Sequence, residues 1–256
     1  MISSFGKINL DVSIGAKTVF SLFGLNVTNS MIIGTISFLI LTIGIIYSSR
    51  MVKKGKSNKF TRVVRWAFDI LVKQIDSVMP SKKSARAIAP LAITIFFFVL
   101  VNYWLISIIP GVGAIKYNGV AIFRGLDADL NFTCALAIIT IVGVQIYAIK
   151  YLGFLKNAGR YFRNPFKDPI GATEGLLELI GEFSRCLSLS LRLFGNALAG
   201  EILLLVISAI AGFLSTLALP LFMAFEIFIG FIQSYIFFML CLIFTSLAMG
   251  NIEQNV

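Results

Sequence analysis

The chain has 256 residues, of which 58% are hydrophobic and only 13% charged, with 24 Phe and a formal charge of +10. That balance excludes an ordinary soluble domain and points to an integral membrane protein. The charge does not indicate nucleic acid, because 11 of the 22 Lys and Arg fall between Arg50 and Arg86 and five more between Lys150 and Lys167, both clusters flanking apolar runs; basic residues so placed report membrane orientation and headgroup contact.

Histidine is absent, which excludes His-based catalysis and makes the common zinc sites implausible, so no metal and no cofactor are expected. Cys134, Cys186 and Cys241 lie singly in apolar segments and read as core thiols. No compact apolar run follows a basic start at the N-terminus, so no cleavable signal peptide is expected.

The chain reads as one membrane domain over residues 1–256, all-α, and its elements follow in order. Residues 1–30 form an outer surface segment ending in the helix-starting pair Asn29-Ser30. Residues 31–48 are apolar and uncharged, about enough for one span of a hydrocarbon core roughly 30 Å thick. Residues 49–86 form a basic inner loop in which Phe60, Val63, Val64, Ala67, Leu71, Ile75 and Val78 recur at helical spacing opposite Arg62, Arg65, Lys73 and Asp76. This pattern predicts an amphipathic interfacial helix. The basic bias places the loop inside and the N-terminus outside.

Residues 87–109 form the second span, with Tyr103 and Trp104 near its outer end and Pro110-Gly111 as its stop. An outer loop over 111–130 leads to a third span over 131–148, and a second basic inner loop covers 149–172. Residues 173–214 contain no proline and keep a helical pattern throughout. One helix of that length measures roughly 63 Å, so it either breaks near its glycines or inclines by about 60° from the membrane normal. Pro220 then turns the chain into a last helix over 221–249. The expected architecture is three ordinary spans, an interfacial amphipathic helix and a long, strongly inclined C-terminal helical hairpin, with the C-terminus inside. No internal sequence repeat supports an inverted-repeat transporter.

Polar residues within the greasy segments carry the functional argument, because an ionisable group at bilayer depth marks an ion pathway by default. At 100° per residue Ser188, Arg192, Gly195, Asn196 and Ala199 share one helix face, while Leu191, Phe194, Leu198 and Glu201 point sideways or behind. Small residues around a charge let another helix approach closely. Either Arg192 pairs with a carboxylate inside this chain, or a partner helix bearing a carboxylate docks on this face.

Glu226, Gly230 and Gln233 share a face of the last helix, giving a second intramembrane carboxylate beside Glu201. The two are either a structural hydrogen-bonded pair or, with Asp129 and Asn131, a polar path from the outer side. Glu174, Glu178 and Glu182 form an i, i+4 ladder at the start of the long helix, followed by Arg185. They either complement the helix dipole or line the mouth of an inner path. Arginine keeps its proton in proteins, so Arg192 separates two such paths rather than relaying protons between them.

Ser190-Leu191-Arg192-Leu193-Phe194-Gly195-Asn196-Ala197-Leu198-Ala199-Gly200-Glu201, followed by Phe225-Glu226-Ile227 with Gln233 and preceded by Ala128-Asp129-Leu130-Asn131, resembles the signature of subunit a of F-type ATP synthases. The resemblance runs from the second span to the C-terminus. It implies a stator beside a rotating ring of c subunits, with two offset half-channels. By position, Arg192 resembles the essential arginine facing the ring carboxylate, Asn196 its neighbour, and Gln233 the glutamine near it. Glu201 and Glu226 match the interacting pair of the outer half-channel, Asp129 and Asn131 its entrance, and Glu178 an acidic position on the inner side. Many members place one glutamate and one histidine at the pair; here both are Glu, which allows a proton shared between two carboxylates.

The resemblance further implies partners in the c-ring, the subunit b peripheral stalk, the other ATP synthase subunits and membrane lipid. It implies an energy-transducing membrane, the bacterial plasma membrane or else the mitochondrial inner membrane. ATP chemistry then belongs to other subunits, and no GxxxxGK[ST] loop occurs in this chain. The rival expectation is a self-contained secondary transporter or channel in which Arg192 binds an anionic substrate.

Overall fold

The structure is a computed structural model that describes residues 15–22, 25–55, 58–108, 116–117, 120–121, 124–161, 169–210 and 215–250. Residues 1–14 of the outer surface segment, Pro110-Gly111 and the end of the predicted helix at 211–214 lie outside the described residues. The chain is an all-α integral membrane protein. Its helices are α1 (Asn29–Lys53), α2 (Lys59–Val78), α3 (Lys82–Ile108), α4 (Leu130–Leu152), α5 (Phe154–Tyr161), α6 (Pro169–Ile210) and α7 (Ser215–Gly250). Among the described residues, α1, α3, α4, α6 and α7 contain stretches long and apolar enough to cross a membrane. Their outward residues fit that role: Phe38, Leu39, Ile40 and Ile43 on α1 are all exposed, a surface suited to lipid rather than water.

Several boundaries differ from the sequence expectation. The second span begins at Lys82, because Ser81 caps it: the Ser84 amide donates to Ser81 Oγ at 3.2 Å and the Ala85 amide to the Ser81 carbonyl at 2.9 Å. The capped first turns thus draw Lys82, Lys83 and Arg86 into the helix. In the second basic loop, residues 154–161 form α5, set off from α4 by Gly153 at φ +85°, whose amide donates to the Ile149 carbonyl at 2.8 Å. A glycine in the left-handed region is the usual way to end a helix. Pro220 does not turn the chain. It lies inside α7, six residues into a helix that starts at Ser215, where its missing amide leaves the Thr216 carbonyl without its usual helical donor. The 42 residues of α6 form one unbroken helix, so the glycines do not interrupt it.

Two compact units divide the chain. The first holds residues Met1–Leu41, Phe98–Thr133 and Arg192–Gln233. In it β1 (Thr18–Leu22) and β2 (Leu25–Thr28) form an antiparallel hairpin. The hairpin is tied to the start of α1 by the Asn29 amide donating to the Lys17 carbonyl at 3.1 Å. Strands β3 (Lys116–Tyr117) and β4 (Val120–Ala121) make a second, minimal hairpin. A single 3-10 turn over Leu126–Ala128 precedes α4, and Leu126 packs so closely on Gly34 that a Cβ there would sit 2.7 Å from its Cδ2. Trp104 Nε1 donates to the Ile227 carbonyl at 2.9 Å, and a Cβ on Gly230 would lie 2.5 Å from the Tyr103 ring. The glycine thus lets α3 and α7 pack in close contact.

The second unit holds Thr42–Phe97, Cys134–Leu191 and Ser234–Val256. Its packing is aromatic: Phe68 stacks on Phe97 at 5.0 Å between ring centres, and Phe96 meets Phe238 edge-on at 6.0 Å. The predicted amphipathic helix is α2, with Leu71 and Ile75 buried. In its first half Phe60 and Val63 are exposed, alongside Trp66. An apolar face that the chain itself does not cover suits a helix lying at a lipid interface.

Candidate functional site

Helix α6 carries most of the candidate residues, and its faces separate by burial. Leu189, Ser190, Leu193, Ala197 and Gly200 are buried, while Ser188, Arg192, Gly195 and Ala199 are exposed and Asn196 is half-buried. The face expected from the 100° spacing therefore points away from the rest of this chain. A Cβ on Gly195 would meet nothing within 4 Å. Among the described residues, no carboxylate forms an ion pair with Arg192, and the internal-pair alternative has no partner in them.

The first compact unit contains a cavity of about 260 Å³. Its polar lining comes from four segments: Tyr103 and Ser107 on α3, Asp127 on the 3-10 turn, Glu201 and Ser208 on α6, and Thr216 and Glu226 on α7. Leu204, Leu205, Leu219 and Met223 supply much of the apolar wall. Glu201 and Glu226, expected together from the sequence, both line this one chamber. The Gly125 amide donates to Glu201 Oε1, and a Cβ at Gly125 would sit 2.7 Å from that oxygen, so any larger residue there would displace the Glu201 carboxyl. Glu226 is 4% exposed and packs against the backbone of Gly200, where any side chain would overlap its carboxyl. Gln233 is buried on the same α7 face.

Asp127 is an acid that is not among the pathway residues expected from the sequence. It is 2% exposed, and among the described residues neither carboxyl oxygen has a hydrogen-bond partner. Burial, reinforced by the neighbouring Glu201 carboxyl, pushes its pKa well above the ordinary aspartate value. Nothing in Leu126-Asp127-Ala128-Asp129 distinguishes the two acids as sequence; the 3-10 turn does. Asp129 has the other role: its Oδ2 accepts the Ser30 hydroxyl at 2.8 Å and its Oδ1 accepts the Asn131 amide at 3.0 Å. Bonding to the second amide of α4 is the geometry of a helix N-cap. Asp129 and Asn131 are not among the residues that line the cavity.

The second unit contains a smaller cavity, about 190 Å³, lined by Gln145, Glu178, Glu182, Arg185 and Phe244 among others. The acidic ladder divides here. Glu174 is exposed, whereas Glu178 and Glu182 reach the cavity. Glu182 accepts from both the Gln145 amide and the Tyr161 hydroxyl, and Asn157 Nδ2 donates to Gln145 Oε1 at 3.2 Å. The Arg185 guanidinium lies 4.9 Å from the Phe244 ring centre, within cation–π range. Gln145 and Tyr161 escaped the sequence reading because a lone amide in a span and a tyrosine in a basic loop carry no spacing signal.

Along α6, then, Arg192 is ten residues after Glu182 and nine before Glu201. Each neighbour lines a separate acidic cavity, and the arginine lies on an exposed face.

The ATP synthase A chain family matches residues 30–246. The chain is 32% identical over 237 residues to the ATP synthase subunit a of Listeria monocytogenes serovar 1/2a, covering 88% of this chain and 94% of the relative. It is 32% identical over 243 residues to that of Legionella pneumophila strain Philadelphia 1, covering 94% and 93%. With the subunit a of Priestia megaterium it shares 30% identity over 226 residues, covering 86% and 90%.

Proposed function

The chain belongs to the ATP synthase A chain family, and from that premise we propose that it is the proton-translocating stator subunit of an F-type ATP synthase, coupling proton flow past Arg192 to rotation of a ring of c subunits. The observation that carries the reading is the exposure of Arg192 on a face of Ser188, Gly195, Asn196 and Ala199, with no carboxylate of the described residues paired to it. An unpaired guanidinium within an apolar helix is unfavourable by itself. A carboxylate on a partner helix relieves that cost, and the small residues let the helix approach.

The proton path has three parts in this reading. Glu201 and Glu226 carry protons through the outer half-channel, whose chamber is the larger cavity. Glu178 marks the inner half-channel, whose mouth is the smaller one. Arg192, permanently charged, holds the arriving ring carboxylate in its ionised form. The carboxylate therefore surrenders its proton before passing, and protons cannot leak straight from one half-channel to the other. With no histidine in the chain, side-chain proton transfer falls to carboxyls and phenols. Asn196 and Gln233 orient the groups around the arginine. ATP chemistry resides on other subunits, and the subunit b stalk holds this chain against the torque.

Helix α6, roughly 63 Å long by its residue count, crosses the bilayer strongly inclined together with α7. The basic segments 49–86 and 149–172 face the inside of an energy-transducing membrane, so the N-terminus is outside and the C-terminus inside.

The test is Arg192→Ala in the intact complex in inverted vesicles. ATP-driven proton pumping should be lost while ATP hydrolysis by the detached catalytic sector continues. Normal coupled pumping in the variant, or ion transport by the purified chain alone, would sink the reading.

A further inference from the structure

Asp127 is a carboxyl that neither packing nor helix capping accounts for. It is 2% exposed, both its oxygens lack hydrogen-bond partners among the described residues, and it lines the same chamber as Glu201 and Glu226. A buried carboxyl left unpaired is unfavourable whether neutral or charged, so a side chain serving structure alone would be better replaced by an apolar one. Two residues on, Asp129 supplies the helix cap through its contacts with Ser30 and Asn131, which leaves Asp127 free of that duty. Nor does a direct hydrogen-bonded ion pair hold it. The Arg124 guanidinium donates to the carbonyls of Gly15 at 2.8 Å and Ala128 at 3.0 Å.

We propose that Asp127 is a third proton-carrying carboxyl of this chamber, taking protons from cavity water and passing them to Glu201. The inference rests on the outer half-channel reading above. A cavity of about 260 Å³ holds several waters, and the unpartnered oxygens of Asp127 offer them acceptors. The step balances simply. A hydronium gives its proton to the Asp127 carboxylate and leaves as water; the resulting acid passes the proton to the Glu201 carboxylate and returns to its ionised form. One proton moves inward and no other bond changes.

The groups facing this transfer are Glu201 on α6, Glu226 on α7, Tyr103 on α3 and Arg124 on the same segment as Asp127. Three carboxyls around one chamber cannot all ionise without strong mutual repulsion. Burial and the neighbouring Glu201 carboxyl let Asp127 keep its proton at a pH where an isolated carboxyl would have lost it, which extends proton capture to more alkaline outside conditions.

The experiment compares Asp127→Asn and Asp127→Ser with the unmodified complex in proteoliposomes, measuring ATP synthesis driven by an imposed proton gradient as the outer-side pH is varied. Assembly is read by copurification of the membrane and catalytic sectors. The proposal expects assembled variants whose alkaline limb moves to lower pH by about one unit, a tenfold loss of rate at fixed alkaline pH, with recovery in Asp127→Glu. A rate-versus-pH curve unchanged in shape would overturn it, as would failure of both neutral variants to assemble, which would assign Asp127 to structure. Arg192→Ala runs beside them: if that variant still couples normally, the stator reading itself fails, whereas uncoupled Arg192→Ala with an unchanged Asp127→Asn curve removes only the third carrier.

Discussion

The Glu226 carboxyl occupies the space that a side chain on Gly200 would need. This single contact brings the acid of α7 onto the backbone of α6, and Gly200 falls one residue before the other acid, Glu201. Gly200→Ala should therefore push Glu226 out of place or strain the helix pair, at a cost of about 1–3 kcal/mol. ATP-driven pumping should fall while detached hydrolysis continues. Combining it with Glu226→Ser, which shortens the opposing side chain, should recover thermal stability of the complex relative to Gly200→Ala alone. Additive losses in the double variant would show that the two residues do not share this contact.

Glu201 combines two tasks that separate by substitution. Glu201→Gln keeps an oxygen for the Gly125 amide but cannot carry a proton, so proton-driven synthesis should drop with little change in stability. Glu201→Ala removes both and should lower the thermal midpoint as well. Glu226→Gln should also slow synthesis. Unchanged rate-versus-pH curves in both Gln variants would count against the outer pathway.

Asp129 should behave as a cap. Asp129→Ala removes acceptors for the Ser30 hydroxyl and the Asn131 amide, costing about 1 kcal/mol. Asp129→Asn retains an acceptor and should stay close to the parent in thermal unfolding and pumping. A pumping loss in Asp129→Asn as large as in Glu201→Gln would instead make its charge part of the conduction path.

The raised pKa of Asp127 has a definite sign in stability. Below about pH 4, near the unperturbed value, folded and unfolded chains both hold the proton and the shift has no effect. As pH rises, the unfolded chain ionises first and the folded state loses stability until its own higher pKa is passed. Asp127→Asn removes this penalty, so the variant's thermal midpoint minus the parent's should grow from pH 4 towards neutral. A difference independent of pH would contradict the burial seen here.

Much of this architecture was legible in the sequence because membrane insertion writes itself as long apolar runs, and the Arg192 face followed from helical periodicity alone. That Glu201 and Glu226 act together was an expectation from the resemblance, but the close approach of Glu226 to α6 depends on Gly200, whose role is spatial. Asp127 and Asp129 were interchangeable as letters. What separates them is a 3-10 turn that buries one and lets the other reach Ser30, 99 positions away in sequence. The start of α3 at Lys82 went unseen because basic residues suggested a loop, while Ser81 had already capped a helix. Pro220 shows the same limit: proline weakens a helix, yet α7 continues through it.

The exposed α6 face has a mechanical consequence if a ring turns against it. Large side chains on a helix make ridges that lock into a neighbour's grooves, and such locking would resist sideways travel. Ser188, Gly195, Asn196 and Ala199 offer no such ridge, and beside Gly195 there is open space. A passing helix meets little friction there and one protruding tooth, Arg192. Each arrival then repeats the same charged encounter, so advance is counted by electrostatics on a bearing that is otherwise smooth.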